Sequence, residues 1–253
     1  MQFSVCIDAL FGKNIYDSFD ILAKQGFEYA EFWSWTNKDI DRILKCSRDS
    51  GVKIAAICTS EFDLTDPRKR DIYAEGLKRS VEVAQKIDCK TLISQVGNDT
   101  GDERALQHES IVEGLKMSAD ILEGSGITLV IEPLNTRVNH KGYYLDSSDE
   151  AFGIVDKVNS ENIKVLFDIY HQQITEGDLL AHILPNLSKI GHFHAAGVPG
   201  RHELLNNEIN YDFVLSELKR VGCTAKVGLE YMPTVDAEQS LSMLKTELIN
   251  RYL

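Results

Sequence analysis

Short β-rich apolar runs recur roughly every thirty residues along this chain, and a longer amphipathic stretch follows each one. This rhythm restricts the fold more than any other feature. Strands separated by helices pair in parallel, and a parallel pair needs a long crossover connection, usually a helix. The runs fall at Phe3–Asp8, Tyr29–Trp33, Lys53–Thr59, Thr91–Val96, Thr128–Glu132, Lys164–Asp168, Lys189–Ala195 and Ala225–Glu230. Eight strand-and-helix units predict an α/β fold, a single (β/α)8 TIM barrel over residues 1–253, in preference to an open doubly wound sheet. Glycines mark the helix ends: Gly26 and Gly51 close the first two helices, and Gly126 and Gly222 precede the fifth and eighth strands. Asp66-Pro67 opens the third helix, where proline is tolerated in the first turn.

Composition narrows the partners. The chain has 39 acidic and 27 basic residues, a formal net charge of −12 with no basic run, so a phosphate backbone is repelled and no nucleic-acid partner is expected. The five cysteines, Cys6, Cys46, Cys58, Cys89 and Cys223, show no CxxC pairing and read as reduced thiols. The opening segment has neither a basic region nor a long apolar run, and no later stretch has the length to span a bilayer. The expected setting is the cytoplasm, with no membrane partner; a homo-oligomer is left open.

In such a barrel, side chains at the C-terminal ends of the strands meet at one mouth. The last four strands end in Glu132, Asp168, His194 and Glu230. Three carboxylates and one imidazole form a hard, mixed oxygen and nitrogen set suited to one divalent ion such as Mn²⁺, Mg²⁺ or Co²⁺. Without a cation, three gathered acids would repel and take up protons. His171, in the loop after strand six, is in reach of substrate or of the groups that surround the metal ligands. His192 shares its strand face with His194 and is expected a layer deeper, in a structural role. Gly197-Val198-Pro199-Gly200-Arg201-His202-Glu203 brings a guanidinium to the mouth, where it suits a substrate carboxylate or phosphate. Glu31 ends strand two ahead of Phe32-Trp33-Ser34-Trp35; it is expected among the substrate contacts, with one of the aromatics walling the pocket.

These strand ends, in this order, resemble the xylose isomerase-like superfamily, nearest its hydroxypyruvate isomerase and ketose 3-epimerase branch. The likeness spans nearly the whole chain. It is carried by Gly26-Phe27-Glu28-Tyr29-Ala30-Glu31-Phe32, Ile131-Glu132-Pro133-Leu134-Asn135, Asp168-Ile169-Tyr170-His171, the run from His194 to Glu203, Glu208-Ile209-Asn210-Tyr211 and Gly228-Leu229-Glu230-Tyr231. Hydroxypyruvate isomerase-type proteins often carry glutamine at the strand-seven metal position, whereas His194 matches the ketose epimerases. The resemblance implies that Glu132, Asp168, His194 and Glu230 bind the metal, that Glu132 and Glu230 are also the acid/base pair, and that His171 and Arg201 contact substrate. It implies a metal-dependent isomerase of a small hydroxy-aldehyde or ketone, working through an enediolate. The alternatives are a ketose 3-epimerase and a lyase, dehydratase or decarboxylase, acting on a related oxo-acid. Endonuclease IV-type repair enzymes share the superfamily, but their multi-zinc cluster needs more histidines, and here strand three ends in Cys58-Thr59-Ser60, strand four ends near Gln95 and Gly200 replaces an aspartate.

Overall fold

Each of the eight apolar runs becomes a parallel strand in the computed structural model, which describes residues 1–253. The strands are β1 (Phe3–Cys6), β2 (Tyr29–Phe32), β3 (Lys53–Cys58), β4 (Thr91–Ser94), β5 (Thr128–Ile131), β6 (Ile163–Asp168), β7 (Ile190–Ala195) and β8 (Lys226–Leu229). They pair in sequence order, and β8 returns to β1, so the barrel closes and no edge is left to pair with another chain. The first strand is shorter than its apolar run, because the chain turns into the helix Ile7–Phe11 at once and carries Asp8 with it.

Helix ends follow local chemistry. Asp39 accepts the Arg42 backbone N–H at the start of Ile40–Ser50, and Gly51 ends that helix in the left-handed conformation at φ 78°. Asp66 caps the turn Pro67–Lys69 that leads into Arg70–Lys86. No helix is long and apolar enough to cross a membrane.

Strand alternation separates two layers. Outward residues such as Val165, Phe167, Phe193, Val227 and Leu229 join the main apolar core of 66 buried residues beneath the helices. The barrel interior is divided. Across β3 to β6 it is apolar, a cluster of Ala56, Ile93, Val130 and Leu166. Across β1, β2 and β7 it holds Ser4, Glu31, His192 and His194, all buried and polar. Buried polar groups cost free energy unless paired, so this half of the interior must be organised by specific partners.

Candidate functional site

The ligating atoms of Glu132, Asp168, His194 and Glu230 all lie within 4.8 Å of one another, and all four residues are buried. Register brings them there: Asp168 pairs with His194 across β6 and β7, and His194 pairs with Gly228 across β7 and β8. His194 Nδ1 stands 3.3 Å from Glu132 Oε1 and 3.2 Å from Glu230 Oε2. Asp168 divides its oxygens: Oδ1 accepts the His171 backbone N–H at 3.0 Å and caps the following helix, while Oδ2 faces the cluster.

The set fits a divalent cation. Both ring nitrogens of His194 are buried with no hydrogen-bond partner, although Glu132 and Glu230 face Nδ1 and Glu31 faces Nε2. Burial would lower the His194 pKa, but Glu230 and Glu31 outweigh it and hold the imidazole well above its ordinary value. Burial likewise raises Asp168 despite Arg201 and His194. Opposing its own burial, Glu230 is drawn well down by Arg201, then His194. A proton on His194 and the Arg201 guanidinium cannot balance three carboxylates; a divalent ion, with His194 neutral, can.

Glu31 lies elsewhere than expected. Its carboxylate does not line the mouth but sits one layer beneath, accepting from Ser4 Oγ at 2.8 Å and meeting His192 Nε2 at 2.9 Å, with Oε1 3.0 Å from His194 Nε2. The reason is the pleat: the side chain points into the barrel from β2, where β7 presents both histidines on the same face. Burial alone would raise this carboxyl, but His194 and His192 draw it down to about 2. Glu31 is thus placed to hold a proton on His194 Nε2 and leave Nδ1 free for a cation, the carboxylate–histidine arrangement common behind metal ligands. His192 lies in this deeper layer, as its register predicts.

Gly228 makes the arrangement feasible. A Cβ there would fall 2.3 Å from Glu31 Oε1 and 2.7 Å from His194 Cδ2. The space where Glu31 and His194 meet is the space a side chain would fill.

Above the cluster is a cavity of about 390 Å³, lined on one side by Glu132, His171, His194, Arg201 and Glu230 and on the other by Trp33, Ser34, Thr59, Ser60, Phe62 and Gln95. That size suits a small molecule. His171 Nδ1 accepts from the Asn135 backbone N–H at 3.1 Å, so its proton belongs on Nε2, which has no partner and stands 3.6 Å from Asp168 Oδ2. Burial and Arg201 depress its pKa to about 3, making it a neutral donor. Arg201 is aimed by its loop: Gly197 N–H donates to the His202 carbonyl, and the Met232 N–H donates to the Arg201 carbonyl at 2.7 Å. Its guanidinium bonds Glu230 and lies 3.8 Å from Asp168.

Of the aromatics after Glu31, Trp33 walls the cavity and its indole N–H donates to Glu230 Oε1; Phe32, the last residue of β2, is buried, and Trp35 donates to Ser80. Sequence reasoning gave no site role to Asn135, His140, Gln95 or Gly228. His140 lines the cavity with its ring 5.2 Å from that of His171. Asn135 and Gly228 each lay in a quoted strand-end segment, three residues after Glu132 and two before Glu230.

A family model described as Xylose isomerase-like TIM barrel matches residues 19–247. The 2-oxo-tetronate isomerase of Cupriavidus necator is 36% identical over 183 residues, covering 72% of this chain and 70% of its own. The hydroxypyruvate isomerase of Escherichia coli is 27% identical over 253 residues, covering 95% of this chain and 97% of its own. Among solved structures, an AP endonuclease, family 2, from Brucella melitensis is similar with a TM-score of 0.92 at 28% identity, covering 98% of this chain and 99% of that one.

Proposed function

The chain belongs to the xylose isomerase-like TIM barrel family, and from that premise we propose that it is a divalent-metal-dependent isomerase of a short hydroxy-aldehyde or ketone, sugar or oxo-acid, acting through an enediolate. One observation carries this reading: two buried glutamates, Glu132 and Glu230, face the same imidazole nitrogen across the floor of a small-molecule cavity. The names of the C. necator and E. coli relatives point to the same class.

Glu132, Asp168, His194 and Glu230 would hold the ion, which polarises a carbonyl and offsets negative charge developing beside it. The chain's own residues do the rest. One glutamate, ionised, accepts the proton from the carbon next to the carbonyl; the facing one, protonated, gives its proton to the former carbonyl carbon; the hydroxyl proton passes from the oxygen that becomes the carbonyl to the one that ceases to be it; and exchange with solvent restores the two glutamates. Neutral His171 donates from Nε2 to a substrate oxygen without adding charge. Trp33 and Phe62 line the cavity and present apolar surface to the substrate.

Arg201 grips an acidic substrate next to the reacting carbonyl. Arg201→Ala is therefore expected to raise KM, through loss of a contact about as strong in the ground state as in the transition state, and also to lower kcat, because the same guanidinium bonds Glu230. Unchanged KM in steady-state kinetics would instead indicate a neutral sugar.

DNA cleavage, which the name of the B. melitensis protein raises, fits less well. The side of the cavity formed by Ser34, Thr59, Ser60 and Gln95 is neutral, and Arg201 is the single lysine or arginine in the lining, whereas a phosphate backbone is held by several cationic side chains. The deciding experiment incubates protein loaded with Mn²⁺, Mg²⁺ or Co²⁺ with short ketoses and oxo-acids in D₂O. Deuterium entering at carbon, with no loss of CO₂ or water, supports the isomerase. Release of either selects a lyase, inversion at a single carbon selects an epimerase, and no exchange with any compound removes the proposal.

A further inference from the structure

A buried ion pair lies outside the metal cluster and its substrate contacts. Lys38 Nζ stands 3.0 Å from Asp8 Oδ1, with the lysine side chain only 5% exposed and the aspartate 14%. The same ammonium donates to the Ser34 carbonyl at 2.8 Å and lies 5.4 Å from the centre of the Phe32 ring. The other oxygen of Asp8 accepts the Trp33 backbone N–H at 2.7 Å. The pair thus grips Trp33 from both sides, at its own amide and at the carbonyl of the next residue. Trp33 in turn gives its indole N–H to Glu230, whose second oxygen is taken by Arg201.

Burying a lysine and an aspartate together is costly and adds little net stability over apolar residues of the same size. Such a pair is kept for the geometry it fixes. Here that geometry is the approach of an indole donor to a carboxylate oxygen across the barrel mouth, from the exit of β2 to the exit of β8. Trp33 is 37% exposed, too open for packing to fix it fully.

We propose that Asp8, Lys38 and Trp33 form a positioning strut for Glu230: the ion pair pins the Trp33 backbone, and the indole fixes the Glu230 oxygen that faces away from Arg201. The strut leaves Glu230 with one donor on each oxygen, while Glu132 has no comparable anchor among its side-chain contacts. Glu230 is therefore the glutamate of fixed orientation, and Glu132 the one free to turn as a proton moves. This rests on the proposed role of Glu230.

Two measurements test it. In steady-state turnover of the metal-loaded enzyme, Trp33→Phe keeps the ring but loses the donor, and should lower kcat about tenfold with little change in KM, the effect expected for one hydrogen bond to a charged group. Lys38→Met should do the same, and the double variant should be no worse than the poorer single one, because all act through one contact. Separately, Trp33 is one of only two tryptophans, so a Trp35→Phe background makes it a sole reporter. Its emission should fall as Co²⁺ is titrated in, and Lys38→Met should shift that emission to the red and weaken the quenching. Asp8→Asn, which keeps an acceptor for the Trp33 amide, is the substitute if Lys38→Met does not fold.

Additive losses in the double variant, or Trp33 emission and quenching unmoved in Lys38→Met, would overturn the strut. The fluorescence readout needs no substrate, so it separates failure of the strut from failure of the isomerase reading, which would appear as an inactive wild type whose Trp33 still responds to Lys38→Met.

Discussion

Glu132→Gln and Glu230→Gln are each expected to keep the barrel intact and to lose about 10²–10⁴-fold in turnover, the usual contribution of a positioned acid or base. An amide oxygen still offers a ligand to a metal, but it cannot accept a proton from carbon. The two losses should be unequal. Glu230 receives a donor on each oxygen, from Trp33 and from Arg201. An amide in its place accepts from one of them and turns its NH₂ on the other, so a buried donor goes unpaired and the side chain tilts. Glu132 has no such pair of donors, and its variant should lose proton transfer with less disturbance. The measurement is kcat at saturating substrate, with metal content determined on the same samples so that a lost ion is not read as a lost base. Near-normal turnover in both variants at full metal occupancy would make the two-glutamate proton transfer untenable.

The parts of this protein that were legible in its sequence follow simple periodic rules. Strands such as Thr128–Ile131 and Lys226–Leu229 are buried on both faces and bounded by glycine-ended helices, so their number and order could be read directly, and with them the closed barrel. The gathering of Glu132, Asp168, His194 and Glu230 followed from position alone, because strand ends in a barrel share one mouth. Glu31 was placed a layer too high. It too stands near a strand end, but nothing in the local sequence says that two histidines on β7 will meet it from across the barrel. The Asp8 and Lys38 pair was invisible for the same reason: each looks like a surface charge until the loop after β2 folds over the start of the first helix. Contacts across the barrel depend on register and twist, which are properties of the closed sheet.

Gly228 offers the sharpest test of the layer beneath the metal ligands. Gly228→Ala adds one carbon, and that carbon would lie 2.3 Å from Glu31 Oε1 and 2.7 Å from His194 Cδ2. Neither neighbour can yield cheaply, since Glu31 is tied to Ser4 and His192, and His194 is a buried ligand candidate. Overpacking of this kind costs about 1–3 kcal/mol of stability. The more telling effect is on the ion: a displaced Glu31 no longer orients His194, and loss of such a partner typically weakens metal affinity about 10–100-fold. Glu31→Gln should weaken it over the same range with a smaller stability loss, because shape is kept and only the charge behind the imidazole goes. Gly153→Ala is the control, for a Cβ there meets nothing within 4 Å in the helix Ser148–Val158, and alanine should stabilise that helix by about 0.5–1 kcal/mol. Thermal melts and a Co²⁺ titration followed by absorbance would record both quantities. If Gly228→Ala bound metal as tightly as the wild type, while Glu31→Gln did not, the glycine would be a packing feature only; if neither variant changed affinity, Glu31 would have no part in holding His194 for the ion.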